Sequence, residues 1–123
     1  MTGERRNVGN VTMTFTVVPS TVRQGETVRL TIRLVNNGGT TTRLTFPTSR
    51  RYDMWITKEG AEVWRSSTGR MFTQEITYQE IGGQTGAVFS ESWTAGPAGP
   101  YIAHAVLDDA SYGGEMKGDL TVR

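Results

Sequence analysis

The 123-residue chain has no cysteine and a single histidine. Without thiols there is no disulfide framework, no cysteine nucleophile and no Cys-based zinc site, although the lack does not identify a compartment. His104 is the one candidate base for a hydrolytic triad. Alternation places it on the strand face opposite Tyr101 and Leu107, where a satisfied or solvated strand histidine belongs. No apolar run follows the basic start "MTGERRNVGN", and no stretch approaches membrane-spanning length. The sequence therefore reads as soluble, cytoplasmic, monomeric and without a membrane span; an exported protein whose leader had been removed would look the same.

An excess of charge of one sign is missing too. A net charge of +1 argues against a nucleic-acid partner, which calls for a clustered basic surface. Eleven of the 13 basic residues are arginine, but they are scattered, with Arg50-Arg51 the one interior pair, and they read as a solvated surface. Asp108, Asp109 and Glu115 in "DDASYGGE" lack the spacing of a calcium loop and read as turn carboxylates. The glycine clusters do not follow a strand and open a helix, which excludes a phosphate loop. No cofactor, metal or catalytic residue is expected, and the chain is not read as an enzyme.

What the chain does have is two-residue periodicity. In "VTMTFTV", Val11, Met13, Phe15 and Val17 face one way; in "TVRLTIRLV", Val28, Leu30, Ile32 and Leu34 oppose Arg29, Thr31 and Arg33. Further strands are expected near 42–46, 52–57, 61–65, 72–81, 87–94, 100–107 and 116–122, with glycines concentrated between them. Helical periodicity is absent. The reading is all-β, an immunoglobulin-like antiparallel β-sandwich of about eight to nine strands, with residues 1–10 a flexible N-terminal segment and 11–123 a single domain. Tyr101, opening a late strand after "AGPAGP", is expected to form a tyrosine corner, and Phe15, Leu30, Ile32, Phe46, Trp93, Tyr101 and Leu107 to share one core.

"RYDMWITKEGAEVWRSS" carries two of the three tryptophans around a Lys58-Glu59-Gly60 turn. A three-residue loop with Gly60 at positive φ would set Trp55 opposite Val63; a two-residue Glu-Gly loop would pair Trp55 with Trp64. The first is favoured because glutamate is a poor opening residue for a type I′ turn. The favoured register puts Trp55, Val63 and Ala61 on one face and Met54, Ile56 and Trp64 on the other, so both carry large apolar groups, one meeting the core and the other covered by a loop or offered to a partner.

Across residues 28 to 107 the chain resembles the BsuPI-type intracellular proteinase inhibitor family. The matching positions are Asn36, Leu44, Phe46, Tyr52, Asp53, Gly60, Val63, Trp64, Phe72, Gln74, Trp93 and Tyr101. "PTSRR" before Tyr52 and "GGQTGAVF" depart from the pattern. The resemblance implies an immunoglobulin-like sandwich that reversibly inhibits a subtilisin-type serine protease through a surface loop. The residues assigned to partner binding are Trp55, Trp64, Arg70, Met71 and Tyr112, with Met71 and Tyr112 as anchors because subtilisin-type clefts favour apolar side chains. The alternative is a structural or adhesion module of an envelope or multidomain protein.

Overall fold

A computed structural model describes residues 1–123. Its strands are β1 (Thr2–Val8), β2 (Val11–Val18), β3 (Thr21–Val22), β4 (Thr27–Asn36), β5 (Thr42–Phe46), β6 (Tyr52–Lys58), β7 (Ala61–Arg65), β8 (Thr77–Ile81), β9 (Gly86–Thr94), β10 (Gly99–Leu107) and β11 (Met116–Val122). One sheet has the order β1-β2-β4-β9, the other β3-β11-β10-β6-β7, and β5 and β8 form a separate ribbon. All pairings are antiparallel except the short β3–β11 contact. No helix is long and apolar enough to cross a membrane.

The alternation explains the two layers. Val11, Met13, Phe15 and Val17 of β2 and Val28, Leu30, Ile32 and Leu34 of β4 bury on one face, against Met54, Ile56, Tyr101, Ala103, Ala105 and Leu107 of the opposing sheet. All seven residues expected to share a core do so. The Tyr101 hydroxyl donates to the Pro97 carbonyl at 2.5 Å, and its ring meets Trp93 edge-on at 5.1 Å, which completes the tyrosine corner.

Three expectations are corrected. Residues 1–10 carry β1, which ladders along β2 from Thr2 to Val8 and reaches β11 through the Thr2 hydroxyl on the Asp119 carbonyl at 2.5 Å and the Glu4 carboxylate on the Lys117 amide at 3.1 Å. Its side chains are mostly exposed, so no apolar alternation announces it. Gly3 permits the pairing, since a Cβ there would stand 1.8 Å from the Phe15 carbonyl oxygen. The strand expected at 72–81 begins only at Thr77, because residues 72–76 are exposed on both sides and bury no alternate row.

The hairpin register is the third. Glu59 (φ 52°) and Gly60 (φ 81°) both lie in the left-handed region, so the loop has two residues and Lys58 pairs with Ala61. A bulge between Ile56 and Thr57 then inserts Val63 as an extra, half-exposed residue. Trp55 consequently faces Arg65, neither Val63 nor Trp64. Without the bulge Trp64 would fall on the outer face. With it, Trp64 lies across from Ile56 and packs against the core.

Candidate functional site

The segment from Ser66 to Ile76 joins β7 to β8 at the end of the sandwich where β6 begins. Its first turn is built on Asp53. This carboxylate is 1 % exposed and accepts from the Ser66 hydroxyl at 3.0 Å, the Ser67 hydroxyl at 3.0 Å and the Arg65 guanidinium at 2.5 Å. Burial alone would push the Asp53 carboxyl up. The hydrogen bonds from Arg65, Ser67 and Ser66, with the charge of Arg65, outweigh it and hold the group below its ordinary value.

Two further fastenings follow. Arg70 meets Glu91 of β9 as a fork, Nη1 to Oε2 at 3.0 Å and Nη2 to Oε1 at 2.8 Å, while the Tyr52 hydroxyl donates to the same Oε2. Burial, reinforced by the hydrogen bond to Glu91, raises the Tyr52 pKa, so the phenol remains a donor. Thr73 pairs with Ser49, its amide donating to the hydroxyl at 2.8 Å and its carbonyl accepting from the Ser49 amide at 3.1 Å. Between the fastenings at 70 and 73 lies Met71, 98 % exposed, followed by partly exposed Phe72. The backbone groups of Met71 and Phe72 make no hydrogen bond within the chain.

Beside this segment runs an open groove of about 1000 Å³, with Phe72 and Ile76 on one wall and Asp108 to Ser111 on the other. That second wall is fixed. Asp109, expected as a solvated turn carboxylate, is buried and accepts from the amides of Thr45 and Ser111, both at 2.7 Å; Asp108 pairs with Arg50 Nε at 2.6 Å. Tyr112 packs its ring against the core, and burial, with the charge of Asp109, raises its pKa.

The outer face of the five-stranded sheet holds a different arrangement. Trp55 stacks parallel on His104 at 5.1 Å, and Arg65 lies over the indole at 4.5 Å. His104 Nε2 is 2.8 Å from the Thr57 hydroxyl; Nδ1 is buried without a hydrogen-bond partner, 3.4 Å from a Glu115 carboxylate oxygen. The sequence does not announce this hydroxyl–imidazole contact. It sits mid-strand on a sheet face, where the backbone amides serve the ladder and leave none to receive an oxyanion.

The five residues singled out for partner binding thus occupy four places. Arg70 and Met71 are adjacent on the fastened segment, Trp55 belongs to the outer-face stack, Trp64 packs inward, and Tyr112 lies against the core across the groove. Sequence reading missed Glu91. Its signal is present: in "GAVFSESWT" the inward row is Ala87, Phe89, Glu91, Trp93, and a carboxylate in a core row must find donors.

Residues 15–112 match the family model of BsuPI, intracellular proteinase inhibitor. No curated protein matches the chain significantly. Among solved structures, the chain is similar to the sporulation control protein Spo0M from Bacillus subtilis, with TM-score 0.54 and 14% identity over 94% of this chain and 50% of that one. It is also similar to the alkylpurine DNA glycosylase AlkC of Pseudomonas fluorescens, with TM-score 0.52 and 13% identity over 93% of this chain and 30% of that one. A β-glucosidase from Erythrobacter marinus gives TM-score 0.52 and 9% identity, with 98% of this chain covering 15% of that one. The chain spans half or less of each of these proteins, and the likeness is one of fold.

Proposed function

The chain belongs to the BsuPI family of intracellular proteinase inhibitors, and on that premise we propose that it is a non-catalytic protein that reversibly inhibits a subtilisin-type serine protease through the segment 66–76. The observation that carries this reading is Met71: an apolar side chain 98 % exposed, held between residues that are themselves fastened to the fold. An exposed methionine on a mobile loop would lose much of its binding energy to ordering. On a fixed segment that cost has been met during folding. The free backbone groups of Met71 and Phe72 suit strand-type pairing with an extended enzyme cleft, while the thioether fills an apolar specificity pocket. The open groove alongside offers the rim of the enzyme a concave surface next to Met71. Action as a monomer in the cytoplasm is part of the same proposal.

The test is titration of a subtilisin-type protease with purified protein, followed by peptide hydrolysis. The expected result is reversible loss of activity, weakened about tenfold or more by Met71→Asp, the effect of removing a buried anchor. Because Met71 has no partner within the fold, this variant should unfold like the parent. His104→Ala should inhibit as the parent does. Full protease activity in a large molar excess of the protein, tested on the source organism's own subtilisin-type enzyme, overturns the reading.

A further inference from the structure

We infer that Glu91 is the positioning residue that keeps the Met71–Phe72 bond from being turned over by the enzyme it meets, acting through Arg70. This rests on the reading of segment 66–76 as the protease-facing element. A fully exposed methionine on a segment outside the strands is what an apolar-preferring protease cleaves, so inhibition needs a reason why this chain is not a substrate.

The reason lies on the opposite sheet. Glu91 is on β9, an edge strand, and points inward with its side chain only 11 % exposed. Both carboxylate oxygens are engaged by the Arg70 fork, and Tyr52 of β6 adds a third donor. The clasp therefore joins β9, β6 and the loop, and ends one residue before Met71. Two residues after Met71, Thr73 is tied to Ser49 through two hydrogen bonds.

Attack by the protease hydroxyl on the Met71 carbonyl would form an acyl-enzyme and release the Phe72 amine. With the acyl side held at Arg70 and the amine side at Thr73, the amine remains beside the acyl carbon. Religation, which re-forms the peptide bond and returns the enzyme hydroxyl, then outpaces entry of water. An inward carboxylate on an edge strand also discourages edge-to-edge pairing, so a purely structural role has to be distinguished experimentally.

The experiment incubates the intact protein, Glu91→Gln and Arg70→Lys with a subtilisin-type protease. It follows cleavage sites by mass spectrometry, inhibition by peptide hydrolysis, and global stability by urea unfolding. Glu91→Gln keeps one acceptor oxygen but loses the charge and the fork; Arg70→Lys keeps the charge and loses the fork. The expected result is cleavage of the 71–72 bond about tenfold or more faster in both variants, with weakened inhibition and cooperative unfolding near that of the parent. Cleavage of Glu91→Gln at the parent's rate overturns the inference, as does a fall in unfolding midpoint with cuts scattered along the chain, the mark of a structural role. A parent protein that does not inhibit, yet resists cutting at 71–72 while Glu91→Gln is cut there, removes the inhibitor reading and leaves the positioning role standing.

Discussion

At the scale of single residues, the decisive groups are polar side chains inside the apolar frame. Asp53 is the clearest. Its carboxylate ties three consecutive residues, Arg65, Ser66 and Ser67, to the start of β6 and so determines the direction in which the chain leaves β7. Asp53→Asn removes the charge that Arg65 and the hydroxyls answer, and should cost about 2–3 kcal/mol in urea unfolding, the scale of hydrogen bonds to a buried charge. The pH dependence has a definite sign. The folded-state pKa lies below the ordinary 3.8, so the contribution is full above that value and is lost as pH falls through the lower folded value. Between about pH 5 and pH 2 the parent should therefore lose more stability than Asp53→Asn; parallel decline of the two would show that Asp53 is not held ionised by its partners.

At the scale of elements, the β6–β7 hairpin illustrates how two local irregularities combine. The type I′ turn places Glu59 at positive φ, which a glutamate tolerates poorly, and the bulge at Val63 restores Trp64 to the core row. Glu59→Asn should stabilise the protein by about 0.5–1 kcal/mol, because asparagine enters the left-handed region more easily, and Gly60→Val should destabilise it by about 1–2 kcal/mol. A neutral result for both in thermal unfolding would argue against the two-residue turn. The strands β2, β4, β5, β6, β9, β10 and β11 were legible because each buries an apolar row, and β7 because it returns from the Glu59-Gly60 turn to pair with β6. β1 and the two-residue β3 were not, since backbone pairing without apolar burial leaves no period in the sequence. The bulge was hidden for a related reason: Val63 and Trp64 are both apolar, so alternation alone does not say which one returns to the core. The clasp between Arg70 and Glu91, and the ties of Asp53 to residues of the next loop, join positions far apart along the chain and become visible only once the strands are paired.

At the scale of the whole molecule, the sandwich acts as a rigid mount. Both sheets contribute to one end, β6 and β9 through Tyr52 and Glu91 and the ribbon through the groove wall, so that Met71 stands out from a surface whose neighbours are fastened. Likeness of fold to parts of larger proteins shows the fold and assigns no function by itself. The central claim is that inhibition consists of Met71 occupying the specificity pocket of a subtilisin-type protease. Its most direct measurement compares binding of the immobilised protein to the free protease and to the same enzyme carrying a covalent inhibitor that fills that pocket. The account predicts binding to the free enzyme and its loss when the pocket is filled. Equal binding to both forms would contradict it.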